Sequence, residues 1–264
     1  MKPDLDPKTD SDLALKGATG TLSVFHIQAE HHYASLMRHA SSVEAGLGGR
    51  LLYVRELDED GRALMIAANI AGAASFAATA NLVAQKQAIR EGVADFLVTT
   101  LDEALRILKN EVRKREAVAV CVAAGPAAVE REMVERGVLP DLARDIGVTG
   151  GLDSTASSSG STALVAPLGP AQSECLLTWS VDATPAQWLP KLDAMAMECL
   201  ALDDSRSAQV GRRWLRQAPR YMGRITRNVR VLRCSTTTAE TIAERMRAGV
   251  KAGEIPVTVR IEIV

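Results

Sequence analysis

Apolar runs with little internal alternation constrain this chain most. Residues 63–68 (ALMIAA), 94–98 (ADFLV) and 117–123 (AVAVCVA) are such runs. Segments of helical periodicity join them, notably 101–115 and 127–136, the second stopped by Gly137. A strand buried on both faces needs apolar residues at every position, and parallel neighbours need a crossover between them, usually a helix. Thr100 stands at the N-cap position of the 101–115 helix with Glu103 three residues later, as a capping box requires. The expected fold is therefore α/β, a three-layer parallel sheet with helices on both faces, followed by a C-terminal α/β extension.

After the run 63–68, the sequence Asn69-Ile70-Ala71-Gly72-Ala73-Ala74-Ser75 reads as a turn entering an Ala-rich helix. A strand, tight turn and helix in that order are the frame of a dinucleotide site, where glycines let a pyrophosphate lie against bare backbone at a helix N-terminus. Asn69, Gly72, Ala73, Ala74 and Ser75 are the candidate cofactor-binding residues, with a single glycine among them. Two readings stand: a narrowed anion site, or a close helix-to-strand contact filled by small side chains. Gly46-Leu47-Gly48-Gly49 precedes the strand-like 50–54 and reads as a loop, and Asp58-Glu59-Asp60-Gly61 reads as a hairpin turn.

Three stretches carry a family resemblance: Leu101-Asp102-Glu103-Ala104-Leu105, the strand 117–123, and Val134-Glu135-Arg136-Gly137-Val138-Leu139-Pro140-Asp141. Residues 48 to about 141 resemble the nicotinamide-binding Rossmann domain of urocanase (urocanate hydratase), whose "RGVxPD" corner the last stretch matches. The resemblance implies a Rossmann-like sheet, NAD as cofactor, and a lyase that uses NAD+ as an electrophile to add water to urocanate in histidine breakdown. The chain also departs from the family. Where members carry a turn similar to G-L-G-G-M-G-G, residues 69–75 hold one glycine, and the second strand with its acidic ribose partner is not visible. Residues 142–147 read Leu-Ala-Arg-Asp-Ile-Gly in place of a Thr-Asp-Gln-Thr-Ser-like run, and neither a Cys-Arg-Gly run nor a late Gly-rich histidine motif occurs. The expectation is a standalone or diverged Rossmann-type domain that binds a nucleotide or small carboxylate, with NAD+ binding weak or absent and urocanate hydration at background. The alternative is a non-catalytic binding or assembly subunit with an Arg-rich anion surface. No catalytic residue is assigned.

The C-terminal part reads as strand 174–181, helix 185–200, strand 229–233, helix 239–250 and a closing strand 257–264. Within it, nine arginines fall between Arg206 and Arg233, interleaved with Trp214 and Tyr221. Arginine pairs bidentately with carboxylate or phosphate. Arg212, Arg213 and Arg216 are the candidate anion-binding residues, against a solvated face that balances the acidic N-terminal half. Pro219 must end or kink their helix. The Gly/Ser-rich stretch 149–162 reads as a linker or as a lid, so the expected organisation is an N-terminal helical segment 1–47, a Rossmann-like unit 48–148, the linker, and a C-terminal unit 163–264.

At 264 residues, 47% hydrophobic and 3% aromatic, the chain has enough material for a full core. A net charge of −1 argues against nucleic acid, and no apolar run approaches the ~20 residues that span a bilayer. The acidic, polar start lacks an apolar leader core, and Cys121, Cys175, Cys199 and Cys234 form no CxxC pair. Both point to a cytoplasmic protein with reduced thiols. His26, His31, His32 and His39 lie in one helix-like stretch, 21–45, but a single helix cannot bring three of them onto one ion, so a wet helix face is expected and no metal. Expected partners are a small-molecule anion or nucleotide, and a second copy of the chain is possible.

Overall fold

The structure is a computed structural model that describes residues 24–144, 162–223, 225 and 227–264. After helix α1 (Val24–Met37), strands and helices alternate: β1 (Leu51–Glu56), α2 (Glu59–Ala71), β2 (Ala74–Ala78), α3 (Leu82–Glu91), β3 (Phe96–Val98), α4 (Leu101–Lys114), β4 (Val118–Val122), α5 (Pro126–Glu135), β5 (Leu142–Arg144) and β6 (Ala163–Val165). The six strands form one sheet in the order β3-β4-β2-β1-β5-β6, with every neighbouring pair parallel. This is the expected α/β sheet with helices on both faces.

Strand alternation sorts the two faces. Tyr53, Phe76, Val118, Val120 and Val122 point toward α4 and α5, where Leu101, Ala104, Leu108, Val129 and Met133 cover them. The opposite face is lined by small residues such as Ala77, Ala119 and Cys121, so the Ala-rich α2 lies close against it, with α3 beside it and α1 stacked outside.

Here the structure corrects the reading of residues 63–75. Residues 63–68 belong to helix α2, not to a strand. Asn69 is still in α2, Gly72 caps its C-terminus at φ 92° with its N–H donating to the Ala68 and Asn69 carbonyls, and Ala74 and Ser75 open strand β2. Residues 58–61 start the helix and make no hairpin: the Asp58 carboxylate accepts from the Gly61 N–H. The physical reason is burial. A helix covered on every side is apolar all round and loses its period, so over a short window it looks like a buried strand. The strand that seemed missing is β2.

The second unit runs β7 (Glu174–Val181), α6 (Pro185–Ala201), α7 (Arg206–Met222), β8 (Val229–Ser235), α8 (Thr236–Lys251) and β9 (Val259–Ile263). Its antiparallel sheet has the order β8-β7-β9. Helix α7 tolerates Pro219 because the proline lies in its last turn. Strand β6 pairs with β5 in the first sheet, so that sheet extends past residue 162, where a unit boundary was expected. The Gly/Ser stretch 149–161 lies outside the described residues. No helix among those described is long and apolar enough to cross a membrane.

Candidate functional site

In an open parallel sheet, ligands bind beyond the carboxyl ends of the strands, where neighbouring strands send their helices to opposite faces. Here that point lies between β2, which leads to α3 on the α2 side, and β4, which leads to α5 on the other. A crevice of about 570 Å³ opens there. One wall is the β1–α2 turn with Glu56, Asp58 and Glu59; the floor is Thr79 and Asn81; Gly125 and Pro126 at the start of α5 close the far side. Asn81 caps α3 by accepting from the Val83 and Ala84 N–H groups. Helix α5, by contrast, begins at Gly125 with no side-chain cap, so its N-terminal partial charge faces the crevice.

The β1–α2 turn holds itself closed. Arg144, at the end of β5, reaches Asp58 at 2.9 Å and Asp60 at 2.9 Å. The His32 Nε2 lies 2.8 Å from Asp60. The hydrogen bond from His32, with Arg144 adding to it, holds the Asp60 carboxyl below its usual range. Beside the turn, Arg62 pairs with Glu91. Of the turn's carboxylates, Glu56 and Glu59 make no ion pair with any described residue.

The residues picked from sequence are placed differently. Asn69, Gly72, Ala73, Ala74 and Ser75 sit at or near the opposite, amino-terminal edge of the sheet, largely buried, away from the crevice. The three arginines turn to different backbone partners. Arg212 donates to the Leu200 and Asp203 carbonyls, and Arg213 to those of Glu44 and Ala71. Each guanidinium thus closes the C-terminal end of a helix, Arg212 on α6 and Arg213 on α2, while Arg216 is exposed and folds back on the Arg212 carbonyl. The expected wet histidine face is only partly there: His26 and His32 are buried, His31 is half-buried, and His39, past the end of α1, is exposed. No three His, Cys, Asp or Glu among the described residues are placed to share a metal ion. Sequence reasoning misses the crevice residues because the helix that follows β1 is apolar on nearly every side and reads as a strand.

A doubly wound parallel sheet with its crevice at the switch point defines a Rossmann-like α/β protein. A family model, the urocanase Rossmann-like domain, matches residues 18–149, half of the chain, and the chain belongs to the urocanase family through that domain.

Whether the family's NAD fits is decided at the β1–α2 turn. Pyrophosphate needs bare backbone and free N–H groups at the start of the first crossover helix. Here Asp58 already takes the Gly61 N–H, and Glu59 and Asp60 add charge of the wrong sign. One glycine remains, Gly61, and it serves packing: a Cβ there would run into the Glu56 carbonyl. At the end of β2, where an acidic residue would hold the ribose, the chain has Thr79, Ala80 and Asn81. The residues present do not fit NAD.

Proposed function

We propose that the protein is a diverged member of the urocanase family that binds a small carboxylate in the switch-point crevice and does not carry out NAD+-dependent hydration. One observation carries this: the turn that should cradle pyrophosphate is acidic and capped by its own side chain. A ligand suited to the crevice has two unlike ends. Its carboxylate meets the uncapped N-terminus of α5, and a donor or cationic group meets Glu56 and Glu59. The family tie makes imidazole carboxylates of histidine breakdown the first compounds to try. Isothermal titration with NAD+ and with urocanate, alongside urocanate absorbance, tests the reading. Saturable urocanate binding without loss of absorbance is expected, with no saturable heat from NAD+. Micromolar NAD+ binding, or turnover above a heat-killed control, overturns it.

A further inference from the structure

A second cavity, of about 260 Å³, opens between α1, the first half of α7 and β8, on a different part of the molecule from the crevice. Its inner wall is aromatic. Tyr33 and Trp214 are buried, with ring centroids 5.0 Å apart. Both have already given their polar hydrogens to backbone carbonyls: the Tyr33 hydroxyl to Val210 and the Trp214 indole N–H to Val231. What little of them faces the cavity is therefore apolar, and the half-buried Ala34, Leu168 and Val210 extend that surface.

The polar side of the cavity carries an excess of positive charge. Arg38, Arg206 and Arg233 line it, against Glu30 and Glu174. Glu30 and Arg233 cancel as a buried pair: Nε and Nη2 of Arg233 donate to the Glu30 carboxylate, and the remaining donors go to the Gly169 and Leu168 carbonyls. Burial pushes the Glu30 carboxyl up, and the Arg233 hydrogen bonds oppose that. Glu174 accepts from Ser207 and lies 3.6 Å from Arg233. Against Glu174, two cations that make no ion pair with any described residue are left, a net excess of one positive charge. Arg206 uses only Nη2, on the Met37 and Ala40 carbonyls, so its Nε and Nη1 have no partner among the described residues. The Arg38 side chain has no hydrogen bond or ion pair with any of them and is exposed at the rim.

We infer that this cleft is a binding site for a small amphipathic monocarboxylate, its apolar or aromatic body against Tyr33 and Trp214 and its carboxylate between Arg206 and Arg38. A phosphate dianion is the poorer match, because Glu174 and Glu30 stand on the same side. The volume, just under the usual lower bound of about 300 Å³ for drug-sized ligands, sets the size near that of an aromatic amino acid. The arginine-rich segment thus takes an anion through its first member and not through Arg212, Arg213 or Arg216.

Phenylacetate is the probe, titrated by ligand-observed NMR and calorimetry against phenylacetamide, which has the same body without the charge. Saturable phenylacetate binding is expected, with the amide weaker by about tenfold or more, the range for hydrogen bonds to a charged group. Arg206→Gln should cost a similar factor. Since Arg206 also holds the end of α1, two variants that leave that contact alone are measured with it. Arg38→Ser should weaken phenylacetate several-fold, and Ala34→Phe, which fills the cavity from α1, should abolish its binding. Neither should alter urocanate binding in the crevice, so the two sites fail separately. No saturable phenylacetate binding, equal binding of the amide, or binding that survives both Arg38→Ser and Ala34→Phe overturns the site.

Discussion

His26, on the first turn of α1, keeps 3% of its surface exposed. Burial, reinforced by the Arg230 charge, lowers its pKa to about 3 from an ordinary 6.5. Below pH 6.5 the unfolded chain takes up a proton on this imidazole and the folded chain does not. Stability rises with pH wherever the unfolded state binds more protons. His26 therefore contributes stability that is fully present above pH 6.5 and is lost as pH falls toward 3. At about 1.4 kcal/mol per pH unit, the loss by about pH 4 is on the order of 3 kcal/mol. Urea midpoints measured across this range should fall for the wild type and fall less steeply for His26→Leu. Parallel slopes would show that His26 is protonated in the folded protein. Sequence gave no access to this, since the helical wheel of α1 shows polar residues without their partners. His32 meets Asp60, 28 positions away, and Glu30 meets Arg233, 203 positions away. Both pairs exist only once two elements have packed.

Helix α2 marks where element-scale reading worked and where it failed. The exposed helix α4 was legible because one face is buried and its cap is local: Thr100 accepts from the Glu103 N–H, and the Glu103 carboxylate accepts from the Thr99 N–H. The RGVxPD corner was legible too, and its role is now concrete, with Asp141 accepting from the Leu51 N–H and pairing with Arg50 to tie β5 to the start of β1. Helix α2 is apolar all round because the sheet lies under it and α1 and α7 lie over it, so periodicity could not separate helix from strand. That error moved the expected site to the wrong end of the sheet. Gly61 tests the corrected frame. Because a Cβ there meets the Glu56 carbonyl, Gly61→Ala must push α2 away from β1 and should cost about 3 kcal/mol in chemical denaturation, at the upper end for an overpacked site. A loss within 0.5 kcal/mol, ordinary for a surface change, would contradict the close approach of helix and strand.

At the scale of the whole molecule, the two sheets share one hydrophobic core. Tyr33 and Leu36 of α1, Leu64 and Ile70 of α2, Trp179 of β7, Trp214 of α7 and Leu232 of β8 belong to a single buried cluster. Polar ties cross the same boundary: the Tyr33 hydroxyl to Val210, Arg206 to the end of α1, Arg213 to the end of α2, and Arg233 to Glu30. Chain length alone argues for separate transitions, since all-or-none unfolding is the rule mainly below about 150 residues. The shared core argues the other way, because neither unit can open without exposing apolar surface of the other. The two arguments can be separated with the protein's own chromophores. Its three tryptophans, Trp179, Trp188 and Trp214, all lie in the second unit, whereas its helices are divided between both units. Tryptophan fluorescence thus reports the second unit, and far-ultraviolet circular dichroism reports the whole chain. In urea the two signals should trace one transition with a common midpoint. A fluorescence change that is complete before the helical signal is lost would mean that the second unit detaches and unfolds by itself, and that the contacts of α1 and α2 with α7 and β8 do not couple the two halves.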